Sequence, residues 1–191
     1  MENNKKQTKK LIIGVIGTII LILVGCVLVQ EYKDYKEKEA YNQEIEEYNS
    51  EMSRLQKIYD EEKTETLQAI EDVVYATTLM YVDADYSYEY VLEEKGLNTV
   101  VDIQKYCSNA QDYLEEHYLN SELWDVKYVH LCYALNSISK GCLAYVYNTI
   151  IYGGFDNIPY EHAQKTKGCF EDAKEYMECY SSAIAYKDYQ Y

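Results

Sequence analysis

The chain almost lacks the residues that interrupt helices. Its 191 residues hold one proline, Pro159, and only five glycines after the first thirty positions. Proline removes a backbone donor and glycine loosens the backbone, so these two residues punctuate strands and turns. Alternation of period two is scarce. Apolar residues recur every three or four positions instead, the spacing of one helix face. The expected fold class is all-α.

The longest uninterrupted stretch is also the most apolar. Leu11 to Val29 is nineteen residues without a charge. As a helix it spans about 28 Å, close to the thickness of a hydrocarbon core. Lys5, Lys6, Lys9 and Lys10 precede it and acidic residues follow from Glu31. This asymmetry predicts a single-pass signal anchor with the N-terminus in the cytoplasm and the rest outside. Leu23-Val24-Gly25-Cys26 resembles a bacterial lipobox, which implies an alternative: lipidation at Cys26 and removal of everything before it. Val27-Leu28-Val29 prolong the apolar run where a lipoprotein usually continues with a polar tether.

The expected organisation is a basic tail over 1–10, a membrane anchor over 11–30, a long helix or coiled-coil stalk over 31–82, an acidic connector over 83–98 and an antiparallel helical bundle over 99–191. In the stalk, Tyr41, Ile45, Tyr48, Met52, Leu55 and Tyr59 alternate four and three apart, a heptad seam suited to self-association. Leu67, Ile70, Val74, Thr77 and Tyr81 continue on a shifted face. Extended, this stalk would reach about 78 Å; the alternative is that it folds back onto the later helices. Three bundle helices follow. One runs from Thr99 to Tyr118, capped by Asn98, with Val100, Ile103, Cys107, Ala110, Leu114 and His117 on its stripe. One runs from Glu122 to Tyr152, capped by Ser121, with Trp124, Tyr128, Leu131, Leu135, Ile138, Cys142, Tyr145 and Thr149. It ends at Gly153-Gly154. The last starts near Asp156 or Asn157 with Pro159 in its first turn, and shows Thr166, Phe170, Ala173, Met177, Tyr180 and Ile184.

Charge limits the partners. The first thirty residues hold four lysines and one glutamate, which leaves 14 basic and 32 acidic residues, net −18, for the rest. Nucleic acid and anionic headgroups repel such a domain. The expected partners are the membrane that holds the anchor, a second copy, or another envelope protein. Tyrosine is over-used: 24, against two Phe and one Trp. It serves either as the default core aromatic or as a stacking surface in a cleft.

Five cysteines lie beyond the anchor, none in a Cys-x2-Cys pair. Cys132-x9-Cys142 and Cys169-x9-Cys179 share one spacing. Folding about Gly153–Asn157 sets Cys132 level with Cys179 and Cys142 level with Cys169. The arrangement is similar to the helical hairpins of twin Cys-x9-Cys proteins, which carry two parallel disulfides. Small core thiols are the other reading. Asp83-x-Asp85-x-Ser87-x-Glu89, with Glu94 in twelfth place, echoes a calcium loop, but Tyr88 stands where its turn needs glycine. His117, His130 and His162 fall on different helices, and His117 reads as a core residue. No Ser-His-Asp order, phosphate loop or HExxH is present. The sequence therefore points to no catalytic residue, cofactor or metal. It favours a non-catalytic interaction or structural module at the cell envelope. The alternative is an extracytoplasmic sensor or ligand-binding domain with a tyrosine-lined cleft.

Overall fold

In the computed structural model the backbone is described for residues 2–82 and 87–187, and side chains for 25–79, 91–154 and 156–187. The described residues are predominantly helical, with no strand among them. Six α-helices run in order: α1 (Glu2–Glu62), α2 (Glu65–Val82), α3 (Ser87–Glu94), α4 (Val100–Tyr118), α5 (Val129–Ile151) and α6 (Tyr160–Ser182). A π-helical turn, Trp124–Tyr128, leads into α5, and a 3₁₀ turn, Phe155–Asn157, precedes α6. Among the described residues no helix is long and apolar enough to cross a membrane. The anchor expected over 11–30 lies largely outside the residues whose side chains are described. So does the calcium-like run from Asp83 to Glu89.

Two compact units divide the chain, Met1–Glu51 with Tyr186–Tyr191, and Met52–Ala185. In the first, the end of the chain is clipped to α1. The Lys187 amide donates to Asn49 Oδ1 at 2.8 Å, and Asn49 Nδ2 donates to the Lys187 carbonyl at 2.9 Å. The Lys187 ammonium lies 4.0 Å from the Tyr48 ring centre. The second unit is the helical bundle. Here α5 packs between α4 and α6, and α2 packs on α5 and α6. The bundle thus begins at Met52, well before the expected boundary at 99, and α2 is one of its helices.

Local chemistry explains the boundaries. The break after α1 needs neither glycine nor proline: the Thr64 hydroxyl accepts the Leu67 amide at 3.1 Å and caps α2. The cap of α4 is Thr99, one place after the expected Asn98. Its hydroxyl accepts the Asp102 amide at 3.1 Å and donates to the Asp102 carboxylate at 2.8 Å. Ser121 accepts the Leu123 amide at 3.0 Å, yet the regular α5 starts only at Val129, after the π-turn. Pro159 stands just before α6, because the 3₁₀ turn occupies Asp156 and Asn157. Gly96, at φ +73°, ends α3 with the Leu97 amide bonded back to the Leu92 carbonyl at 2.8 Å, a close that favours a residue without Cβ.

The apolar stripes form the core. Leu67, Ile70, Val74 and Thr77 of α2 are buried, as are Leu131, Leu135, Ile138 and Cys142 of α5, and Phe170, Ala173 and Met177 of α6. Helices α5 and α6 come closest at Gly141. A Cβ there would sit 2.7 Å from the Phe170 ring and 3.2 Å from Cys169 Cβ. His117 departs from its stripe: it is exposed, stacked on Tyr113 with ring centres 4.1 Å apart, and Tyr118 takes the core place.

Candidate functional site

The polar side chains of the bundle converge on one partly enclosed centre, built where α1 ends, α2 begins, the π-turn coils and α6 finishes. Each contributor has a local reason to point inward. Glu71 lies one turn after Leu67 and three residues before Val74, on the buried stripe of α2. Tyr180 is the last buried residue of the α6 stripe. The π-turn carries Lys127 and Tyr128, both buried and both bonded within the centre.

Two carboxylates organise the centre. Glu71 accepts from Tyr59 Oη at 2.6 Å and, through a short hydrogen bond, from Tyr180 Oη; Lys63 Nζ lies 3.8 Å from its other oxygen. Glu62 accepts from Tyr128 Oη at 2.9 Å and from Ser121 Oγ at 2.8 Å. The Glu62 carbonyl receives Tyr118 Oη at 3.1 Å. Lys127, only 6% exposed, donates to the Tyr180 carbonyl at 2.8 Å. Its ammonium stands 3.7 Å from the Tyr180 ring centre and 4.6 Å from that of Tyr59.

Burial sets the electrostatics. It pushes the Lys127 ammonium down from 10.5 to about 8, against the pull of Glu71. It raises the phenols of Tyr59, Tyr128 and Tyr180 well above their usual range, and their hydrogen bonds to carboxylates reinforce this, because each phenol must stay protonated to donate. A buried amine with a depressed pKa has the chemistry of a nucleophile or base. Here one of its three N–H donors goes to the Tyr180 carbonyl, and the ammonium stands over two rings. The arrangement ties four segments together and holds their hydroxyls satisfied.

The candidate site residues read from sequence fall elsewhere, with Tyr59 the exception, while Tyr128, Tyr180 and Ser121, read as stripe or cap residues, join the centre. Tyr59 belongs to the centre. Of the other seam residues, Ile45, Met52 and Leu55 are buried, and Tyr41 and Tyr48 are half-buried. All six cysteines carry free thiols. Cys132–Cys179 and Cys142–Cys169 are thus unbonded, although the register expected for the hairpin is close: Gly141 meets Cys169 and Phe170, and the rings of Tyr133 and Tyr176 lie 5.3 Å apart. The cysteines differ in facing. Cys142 and Cys132 are buried, Cys169 is half-buried on α6, and Cys179 is exposed. Cys26, the lipobox position, is exposed. Among the described residues no cluster of His, Cys, Asp or Glu is placed to hold a metal.

One apolar cavity of about 340 Å³ lies between α4, α5 and α6, lined by Val100, Tyr145, Ile158, Ala163, Thr166, Lys167 and Phe170. It has a single tyrosine in its wall, so the tyrosine-lined cleft of the ligand-binding alternative does not describe it. Sequence reasoning missed Glu62, Glu71 and Lys127. The available signal was the tyrosine count: a core built from phenols must supply an acceptor for each buried hydroxyl. In comparison with known proteins, no family model matches the chain, and neither a curated protein nor a solved structure is similar to it.

Proposed function

We propose that the chain is a membrane-tethered, non-catalytic interaction module, with its N-terminus in the cytoplasm and its helical bundle outside. The charge split around Leu11–Val29 carries this reading: four lysines before the apolar run and a net charge of −18 after it. A span of that length with cations on one flank is retained by the bilayer and oriented by the lysines. The polar centre supports the non-catalytic part, since its carboxylates, phenols and amine are engaged with one another. Protease added to the outside of intact cells should degrade the bundle while the full chain stays with the membrane. Protection until lysis overturns the orientation. Intact mass separates the two modes of attachment: retention of residues 1–25 without an acyl chain supports the signal anchor, and a mature N-terminus at acylated Cys26 supports the lipoprotein.

A second reading, a sensor for a small apolar ligand, is favoured by the 340 Å³ cavity. Small apolar cavities bind apolar guests. Benzene should then raise the melting temperature, and Ala163→Phe, which fills the cavity, should abolish the effect. No shift in the parent protein counts against it.

A further inference from the structure

Helix α1 is bare over a long stretch. Every residue from Gly25 to Ala40 is exposed, and Tyr41 is the first to be half-covered. These sixteen residues, about 24 Å of helix, have no sheltered side. Val27, Leu28 and Val29 are 57%, 59% and 58% exposed and close the uncharged run that begins at Leu11. Consecutive residues stand about 100° apart round a helix, so three in a row face three ways. A protein partner covers one stripe of a helix, whereas an apolar helix exposed all round suits a hydrocarbon solvent.

The aromatic residues begin where that run ends. None precedes Tyr32 in the sequence, and Tyr35 is the next. They are 63% and 61% exposed, and at three apart they are neighbours on the helix surface. Along the axis Tyr32 lies about 4.5 Å and Tyr35 about 9 Å beyond Val29. Helical side chains lean toward the N-terminus, here back toward the apolar run. The headgroup layer outside a hydrocarbon core is about 5–8 Å thick on each side. Both rings therefore reach that layer, where a phenol buries its ring and keeps its hydroxyl wet. Charge does not oppose the contact. Glu31 to Ala40 holds three lysines against four carboxylates, and Lys36 pairs with Glu39 at 2.7 Å, so headgroups meet no block of one sign.

We infer that Tyr32 and Tyr35 form an interfacial collar, seated among the phospholipid headgroups of the outer leaflet, which fixes the depth at which α1 leaves the bilayer. This rests on the tether reading and names the side chains that touch the lipid surface. On the cytoplasmic flank Lys5, Lys6, Lys9 and Lys10 hold the other end, so the span is fastened by charge on one side and by rings on the other.

The test uses the full chain in phosphatidylcholine vesicles whose acyl chains carry bromine either near the headgroup or near the methyl end. The parent, with Trp124 as its one tryptophan, gives the baseline. Tyr32→Trp and Tyr35→Trp should each add blue-shifted emission that the shallow bromine quenches more than the deep one. Glu39→Trp should add emission that neither quenches. The depth is read at Cys26, about 4.5 Å inside Val29. In the parent it should resist a membrane-impermeant maleimide, while Cys179, exposed on the bundle, labels as the internal control. Replacing both tyrosines with serine should let α1 ride outward and make Cys26 react. Equal labelling of Cys26 in the parent and the double variant overturns the depth-setting role. Emission from positions 32 and 35 that neither bromine quenches, in a chain that floats with the vesicles, overturns the collar and leaves the tether standing. A chain that does not float overturns the tether itself, so the two failures are told apart.

Discussion

At Gly141 two opposing effects meet on one atom. Replacing a helical glycine with alanine ordinarily stabilises by about 1 kcal/mol. Here the added methyl would enter the Phe170 ring and crowd Cys169. Overpacking a core costs about 1–3 kcal/mol, so Gly141→Ala should destabilise, by a lower urea midpoint with unchanged slope. A gain in midpoint would mean that α5 and α6 are further apart than the structure has them. Glu71 is decided by the number of donors it serves. Glu71→Ala strips the acceptor from Tyr59 and Tyr180 and the counter-charge from Lys63 and Lys127, and should cost about 3–5 kcal/mol. Glu71→Gln keeps one acceptor oxygen and should cost about 1–2 kcal/mol. Equal losses for the two variants would show that the charge matters there, and packing volume does not. None of this was legible one residue at a time. Gly141 looks like a tolerated glycine and Glu71 like one more acidic residue until α6 is laid beside them.

Among the elements, burial separates the cysteines into chemical classes. Desolvation raises the thiols of Cys132 and Cys142 to about 12 and that of Cys107 further. The thiolate is the reactive form, so these three should resist iodoacetamide at pH 8 in the native protein and react only in denaturant, while exposed Cys179 labels at once. Similar rates at all sites by peptide mapping would contradict the packing of α5. The helices themselves were largely readable from spacing, because burial of one stripe requires a repeat of three and four. Their ends were less so. Asn98 and Thr99 are both good caps, and the choice fell to Thr99, whose partner Asp102 completes a reciprocal pair. The break at Lys63–Thr64 carried no glycine or proline, only a threonine whose capping role depends on the turn being there.

For the whole molecule, titration couples the buried centre to stability. Lys127 in the folded protein gives up its proton near pH 8, whereas an unfolded lysine keeps it to 10.5. The unfolded state thus binds more protons in that window, and stability rises with pH as the penalty on the charged amine is lifted. Buried thiols and phenols act with the opposite sign. Unfolded cysteine ionises from about 9 and tyrosine from about 10, while Cys107, Cys142, Tyr59, Tyr128 and Tyr180 stay protonated in the fold. Denaturation midpoints should therefore climb modestly from pH 8 to 9 and fall steeply above 10. Lys127→Met should remove the climb and leave the fall; a climb that survives in this variant assigns it to another group. The bundle was legible as a class of fold, but its polar centre was not. It draws on positions 59, 62, 71, 127, 128 and 180, and no local spacing connects them.

That long reach has a consequence for how the chain is made. Helices α4, α5 and α6 are consecutive hairpins and can pair as they emerge. Tyr180, however, is 109 positions from Glu71 and 53 from Lys127. A chain synthesised from its N-terminus must carry Glu71 without its Tyr180 donor, and Lys127 without the Tyr180 carbonyl, until α6 has been made. A product truncated before Tyr180 would keep its helices yet leave a buried charge without its partners. Loss of the last turn of α6 should thus loosen a centre built mostly from α1, α2 and the π-turn, making Tyr180 a late-arriving lock on the bundle.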